Sequence, residues 1–351
     1  MRMPPAVVIA VFAASLAGSA AGASASPELQ DVRFASLRAE AADLPAPEGK
    51  ALPDDCQFLR DQLADPSLRE VVVPAGTYVC AKPVVLSRSG VTLRGQGRPT
   101  LRLADHAESP LLVLGGLDDD AQGVPTPVTG LRVEGLVLEG NRAKQSGECW
   151  GGPCDTGGTT GVRNNGLTLR GVKDSSVRDV EIRGARSGGL VTERDCAGIH
   201  VQGLKAADNF FDGLSVNWTR DSVFEGLELS GNDYAGLTMD VLVKNNVFRD
   251  GSVSGNRDVG VYLRRAEGNR FERLKVSGNR SHGVYLSDAD AQPGTCAVDN
   301  VFFRVEALGN GRDGFHMAGA CAGNRLEGSV SAGNQGQPFH GAWMRPAASK
   351  P

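Results

Sequence analysis

The chain has 351 residues, with 37 basic against 41 acidic side chains and a formal charge of −4. The two signs are mixed along its length, so no basic stripe offers itself to phosphates and nucleic acid is not an expected partner. Beyond the first residues nothing supplies the ~20 consecutive apolar residues of a membrane helix, so no membrane partner is expected for the mature chain.

At the N-terminus Arg2 precedes an apolar run from Ala6 to about Leu16, and small residues lead to Ala23-Ser24-Ala25. That order reads as an export signal over residues 1–25, which places the mature protein in the periplasm or outside the cell. Residues 26–51 are rich in Ala, Pro and charge and read as a linker. Asp54 or Asp55 is placed to cap a short helix through Leu63, whose Phe58, Leu59 and Leu63 would cover the open end of the following core. Short alternating strands come next, in Val71-Val72-Val73-Pro74-Ala75-Gly76-Thr77-Tyr78 and in Ser89-Gly90-Val91-Thr92-Leu93-Arg94-Gly95-Gln96-Gly97. Gly95-Gln96-Gly97 is not a dinucleotide loop, because no helix follows and the third glycine is absent. Asp118-Asp119-Asp120 offers oxygen to calcium, but without further spaced carboxylates it reads as a solvated turn, and no cofactor is expected.

Seven cysteines in an exported chain point to disulfides with at least one thiol left over. Cys149 and Cys154 can staple their own loop. Cys296 and Cys321 lie 25 residues apart, near one repeat, and can bridge neighbouring coils. Cys56 with Cys80 would tie the cap to the first coil, leaving Cys196 free. No pair has the C-x-x-C spacing of zinc sites, so no metal is expected.

From residue 185 onward a repeat dictates the architecture. Asn209, Asn232, Asn256, Asn279, Asn310 and Asn334 recur at intervals of 23, 24, 23, 31 and 24 residues. Gly213, Gly236, Gly260, Gly283 and Gly314 follow four residues behind, each opening a short strand such as Leu214-Ser215-Val216-Asn217. A second column runs in step through Ser222, Asn246, Asn269, Asn300 and Asn324, with Phe224, Phe248, Phe271, Phe302 and Leu326 two residues on. Strands this short cannot bury an apolar face alone and must stack on copies of themselves. The phenylalanines then form an internal pile, and the asparagines a ladder of amides that also tolerates the left-handed conformation closing each coil. The expected fold is all-β, a single-stranded right-handed parallel β-helix of about 24-residue coils over residues 52–340, with a short N-terminal capping helix and a tail from 341 to 351.

The two opening phrases at 71–78 and 89–97 resemble the first coils of the pectate-lyase-like superfamily of right-handed parallel β-helices, and the likeness runs over residues 52–340. It implies a carbohydrate-active or carbohydrate-binding protein, since the superfamily includes lyases, hydrolases, uronan C5-epimerases, phage tailspikes and noncatalytic periplasmic proteins. The Asp-Pro-His signature of mannuronan C5-epimerases and the paired aspartates of polygalacturonases are absent from this sequence, and Ser281-His282-Gly283 is only loosely similar to the Gly-His-Gly of the latter.

Alternation after each repeat glycine sends Leu214, Leu237, Val261, Val284 and Phe315 inward. One outward column is Ser215, Thr238, Tyr262, Tyr285 and His316, and a second is Glu193, Asn217, Asp240, Arg264 and Ser287. Asp212, Ala235, Val259, His282 and Asp313 stand just before the glycines. Carboxylates, phenols, an imidazole and a guanidinium thus gather on one face, the equipment of sugar binding and acid–base work. For a lyase acting on an anionic polysaccharide, Arg264 or Asn217 would neutralise the uronate carboxylate, and Tyr262 or His282 would remove the C5 proton. As an exposed ladder residue, Arg264 is expected to contribute little to stability. A glycoside hydrolase would instead use Asp212 with Asp240, or Glu193 with Asp240. Trp218 and Trp150 are candidates to stack on a pyranose ring, and Tyr285 is a further substrate-binding candidate on the same face. The alternative without turnover is a polysaccharide-binding or export-assisting β-helix, whose outward charges are cross-strand ladders.

Overall fold

A computed structural model describes residues 52–117, 127–145, 162–287, 295–319 and 321–344. The expected signal peptide and linker, Asp118 to Asp120, Cys149, Trp150, Cys154 and the end of the tail lie outside these residues. No described helix is long and apolar enough to cross a membrane.

Each coil contributes strands to three walls, all paired in parallel with the coils above and below: an eighteen-stranded sheet, a ten-stranded sheet and a six-stranded sheet. The ten-stranded wall takes one strand from each coil, so the chain makes a right-handed parallel β-helix of about ten turns. The expected inward column is in register there, Leu214 to Leu237 to Val261 to Val284 to Phe315.

The interior shows why the repeat has its composition. Phe224, Phe248, Phe271 and Phe302 are fully buried and stack at 4.7, 5.2 and 4.6 Å between ring centroids, close to the strand spacing. Each such side chain contributes about 1.5–3 kcal/mol through burial. In the asparagine ladder, Asn232 donates its Nδ2 to Asn256 Oδ1 at 2.9 Å, and Asn256 donates likewise to Asn279 at 2.9 Å. A second ladder runs Asn246, Asn269, Asn300 and Asn324. Contrary to the sequence expectation, the ladder asparagines do not take the left-handed conformation. The residue before each one does: Asp208 at φ 55°, then Gly231, Gly255, Gly278, Gly309 and Gly333 at 62–67°. The asparagine amide is spent on ladder bonds in both directions, so a neighbour with little or no side chain turns the corner. The repeat glycines answer a different need. A Cβ on Gly260 would lie 2.6 Å from the carbonyl oxygen of Gly283 in the next coil and 2.4 Å from Val276 Cγ1.

Helix α1 (Gln57–Ala64) closes the N-terminal end with Leu59 and Leu63 buried. Neither Asp54 nor Asp55 caps it; the N-cap position is Cys56, without a side-chain cap. The two carboxylates instead accept backbone N–H groups of the first coil, Asp55 from Val79 at 3.0 Å and Asp54 from Ala81 at 3.2 Å. They fix α1 to the strand it covers, a stronger use than satisfying one helix end. Cys56–Cys80 and Cys296–Cys321 are disulfides, with Cα separations of 5.0 and 5.2 Å, and Cys196 is a buried free thiol that burial pushes up to about 11. At the far end Trp343 lies edge-on to Phe302 and Phe315, at 5.6 and 5.9 Å.

Candidate functional site

The outer surface of the ten-stranded wall carries the expected column in register, Ser215, Thr238, Tyr262, Tyr285 and His316, with two further residues, Val191 before it and His340 after it. Rings follow one another along it. Phe211 stacks on Tyr234 at 4.8 Å, and Tyr234 packs with Tyr262, Ala235 and Val259. Tyr262 meets Tyr285 at 5.6 Å, Tyr285 meets His282 at 5.2 Å, His282 meets His316 at 4.4 Å, and His316 stacks on His340 at 4.3 Å. Parallel stacking of coils converts residues about two dozen apart into a continuous aromatic track up the axis. Exposed Arg257, Arg280 and Arg312 stand in the turns that lead into its strands.

The expected centre of Arg264, Tyr262 and His282 is brought together on this wall, but with less freedom than its sequence pattern implies. Arg264 is 4% exposed and its Nε donates a hydrogen bond to Asp240, so the guanidinium is held in a buried ion pair and is not the exposed ladder residue expected. Tyr262 is equally enclosed; burial pushes its hydroxyl up to about 12, outweighing a hydrogen bond from Ser287 and the attraction of Arg264. Arg264 therefore does not lower the phenol toward neutrality. Asp212 is wholly buried beneath the track, and burial, with Asp240 and Asp258 adding, pushes its carboxyl up to about 8. The pair Asp212 and Asp240 thus does not flank an open cleft.

The remaining candidates are spread along the same wall. Asn217 donates to Ser215 Oγ at 3.2 Å, and Glu193 pairs with buried Arg170 at 2.7 Å. Trp218 is exposed in the turn after its strand.

The most concentrated chemistry lies at the C-terminal end of the track. His316 Nδ1 stands 2.7 Å from Asp313 Oδ2, and the Gln337 N–H donates to Asp313 Oδ1 at 2.6 Å. Burial alone would raise the Asp313 carboxyl, but these hydrogen bonds outweigh it and hold it below the usual range. An ionised carboxylate only accepts, so His316 directs an Nδ1 proton toward Asp313. His282 is pushed down to about 4 by burial and by its histidine neighbour, and is neutral near pH 7. Its Nδ1 accepts the Asp313 N–H at 3.2 Å. One ligand atom from each of His282, Asp313 and His316 lies within 4.8 Å of the others.

Sequence reasoning placed Asp313 and His316 in the right columns but left both out of the site, along with His340, Phe211 and Tyr234. The signal was there: His282 and Asp313 are separated by the same 31 residues as Asn279 and Asn310, and His316 and His340 by one 24-residue coil. On the eighteen-stranded wall, a cavity of about 720 Å³ is lined by Glu70, Arg132, Glu134, Arg178 and His200 among others. Arg94 bridges Glu70 and Glu134 beside it, at 2.8 and 3.9 Å, a pattern of cross-strand charge ladders.

A three-walled parallel coil with one wall set apart by its rings and histidines defines a parallel β-helix protein. The chain belongs to the NosD family: the model described as periplasmic copper-binding protein (NosD) matches residues 139–336. Among solved structures it is similar to the A-module of mannuronan C-5 epimerase AlgE4 from Azotobacter vinelandii, at 18% identity and a TM-score of 0.57, covering 84% of this chain and 95% of that one. The N-terminal fragment of bacteriophage Phi29 gene product 12 is similar at 13% identity and a TM-score of 0.54, covering 74% and 47% of the two chains. ORF18 of Geobacillus virus E2 follows at 14% identity and 0.51, covering 77% and 54%. These likenesses concern the fold. A search of the curated proteins finds no match.

The family description makes copper a question for these residues. Two imidazoles and a carboxylate suit Cu(II) rather than Cu(I), which prefers thiolate and thioether ligands. Among the described residues His282, Asp313 and His316 fit on donor type and on mutual distance.

Proposed function

We propose that this chain is a periplasmic carbohydrate-binding β-helix that holds an extended, anionic polysaccharide along the ring track. The observation that carries the reading is the run of rings from Phe211 to His340, spaced at 4.3–5.6 Å wherever neighbouring rings meet face or edge. Its partly exposed members, among them Tyr285, His316 and His340, offer apolar ring surface to the flat faces of pyranoses. Arg280 and Arg312 beside the track supply positive charge for carboxylates on the sugar, while Arg257 is paired with Asp233 at 3.0 Å. The fold it shares with an epimerase module and phage proteins is consistent with a long substrate laid along one wall, and the family's periplasmic description agrees with the export signal read at residues 1–25. Retardation on gels containing polyuronates, against a neutral glucan, tests the reading. Tyr285→Ala is expected to weaken retardation about tenfold with little change in melting temperature, and unchanged mobility of the parent protein in every polyuronate would end it.

One observation favours turnover as a second reading. The Asp313–His316 pair holds an imidazole by a carboxylate beside Tyr285, at 5.1 Å between ring centroids, and a carboxylate-oriented imidazole is the arrangement of a general base. In a lyase of this kind His316 would take the C5 proton, since Tyr262 retains its own and Arg264 is committed to Asp240. Unsaturated product, followed by its ultraviolet absorbance, would appear with the parent protein and vanish in His316→Ala. Binding without product would return the assignment to the noncatalytic form.

A further inference from the structure

We propose that His282, Asp313 and His316 form a binding site for one divalent transition-metal ion, Cu(II) foremost, at the C-terminal end of the track. The donors come from two successive coils. His282 and Asp313 occupy the same position of the repeat, directly before Gly283 and Gly314, and His316 is the outward residue of the strand that Gly314 opens. In earlier coils the position before the glycine holds Asp212, Ala235 and Val259, so this donor set occurs at one level of the described solenoid.

The spacing is close to what a small ion requires, with the three donor atoms within 4.8 Å of one another and the His282 ring the one that must draw in. Bonds of about 2.0–2.2 Å to imidazole nitrogen and carboxylate oxygen put neighbouring ligand atoms about 3 Å apart. Asp313 Oδ2 is 2.7 Å from His316 Nδ1 and 3.7 Å from His282 Nδ1. An ion held by these atoms displaces the Nδ1 proton of His316 and takes over the lone pair with which His282 accepts the Asp313 N–H. The second of these is a long hydrogen bond at 3.2 Å, the easier one to give up. The surroundings limit movement: Asp313 Oδ1 is anchored by the Gln337 N–H, and His316 is sandwiched between His282 and His340. Such outer contacts fix ligand orientation before the ion arrives. Two nitrogens and one oxygen leave coordination positions for water or a sugar oxygen, and the ligand type ranks Cu(II) above Zn(II).

The test is calorimetric titration of the full chain with Cu(II) and, separately, Zn(II), together with electron paramagnetic resonance of the Cu(II) form. One equivalent is expected, with nitrogen hyperfine structure from two imidazoles and tighter binding of Cu(II) than of Zn(II). His282→Ala and His316→Ala should each weaken binding about a hundredfold or more, at least the loss known for outer-shell changes. His200→Ala, on another wall and paired with Glu225 at 2.8 Å, should bind like the parent. His316→Gln guards against misfolding, since its polar volume preserves the surface while removing the imidazole. Stoichiometric binding that survives both His282→Ala and His316→Ala, or no binding by the folded parent, overturns the proposal. Parallel gels with polyuronates keep this result separate from the carbohydrate reading, because Phe211→Ala removes a ring at the far end of the track, which stacks on Tyr234 and on neither histidine ligand.

Discussion

Replacing Asp212 by Asn should stabilise the protein, increasingly as pH rises. Asp212 is 0% exposed; its Oδ1 accepts the Ala235 N–H at 3.1 Å, and its Oδ2 is buried with no hydrogen-bond partner among the described residues. Burial is the main reason its carboxyl is pushed up to about 8. An unfolded aspartate titrates near 3.9, so between about pH 4 and 8 the native chain holds a proton that the unfolded chain has released. The sign follows: a carboxyl raised in the folded state supports folding fully below pH 4 and loses that support as pH rises toward 8. At about 1.4 kcal/mol per pH unit, the loss linked to this one group approaches ~4 kcal/mol at pH 7, an upper figure because the interior relaxes around a charge. Asparagine keeps the acceptor for Ala235 and never ionises. Urea unfolding of parent and Asp212→Asn at pH 4, 6 and 8 should show curves that nearly coincide at pH 4 and separate by a few kcal/mol at pH 8. Parallel pH profiles, or a variant less stable than the parent at pH 8, would refute the reasoning.

Two other substitutions probe the stack and its wall. Asn256→Ala takes the acceptor from the Asn232 N–H and Nδ2, at 3.1 and 2.9 Å, and removes the donor to Leu229 O and Asn279 Oδ1; orphaned buried donors at about 1–3 kcal/mol each predict a loss of about 3–5 kcal/mol. A fall below 1 kcal/mol in a urea titration would mean the ladder is not energetically coupled. Arg264→Ala strands the Asp240 carboxylate, whose side chain is 21% exposed, and should cost about 3 kcal/mol, partly recovered when Asp240→Asn is added. A melting temperature unchanged in the single variant would restore Arg264 to the role of a solvated ladder residue.

The stacking rule was legible because it is one-dimensional: once Asn209 to Asn334 and Phe224 to Phe302 are aligned, inward and outward positions follow by alternation. Even the disulfide Cys296–Cys321 comes from repeat length, and Cys56–Cys80 from the tie between the cap and the first coil. What alternation does not encode is depth. Tyr262 and Arg264 point outward, yet neighbouring coils bury them, because Tyr234, Val259 and Tyr285 pack around the phenol and Asp240 receives the guanidinium. Nor does it encode which outward residues cooperate. His316 becomes more than a ladder member only because Asp313, three residues earlier, turns its carboxylate back onto the ring. The corner conformation was misassigned for a related reason: asparagine is suited to left-handed turns in isolation, but here its amide was already committed to neighbours above and below.

Trp343 has a consequence for self-association. A parallel coil presents, at its last turn, a template on which another chain could continue the same pattern, and growth of that kind leads to fibres. Leu326 and Phe339 occupy the last described coil over Phe302 and Phe315, the indole fills in edge-on to the same two rings, and α1 shuts the opposite end. An aromatic plug at one end of the described solenoid and a helix at the other thus deny a second chain the template that the periodicity would otherwise offer.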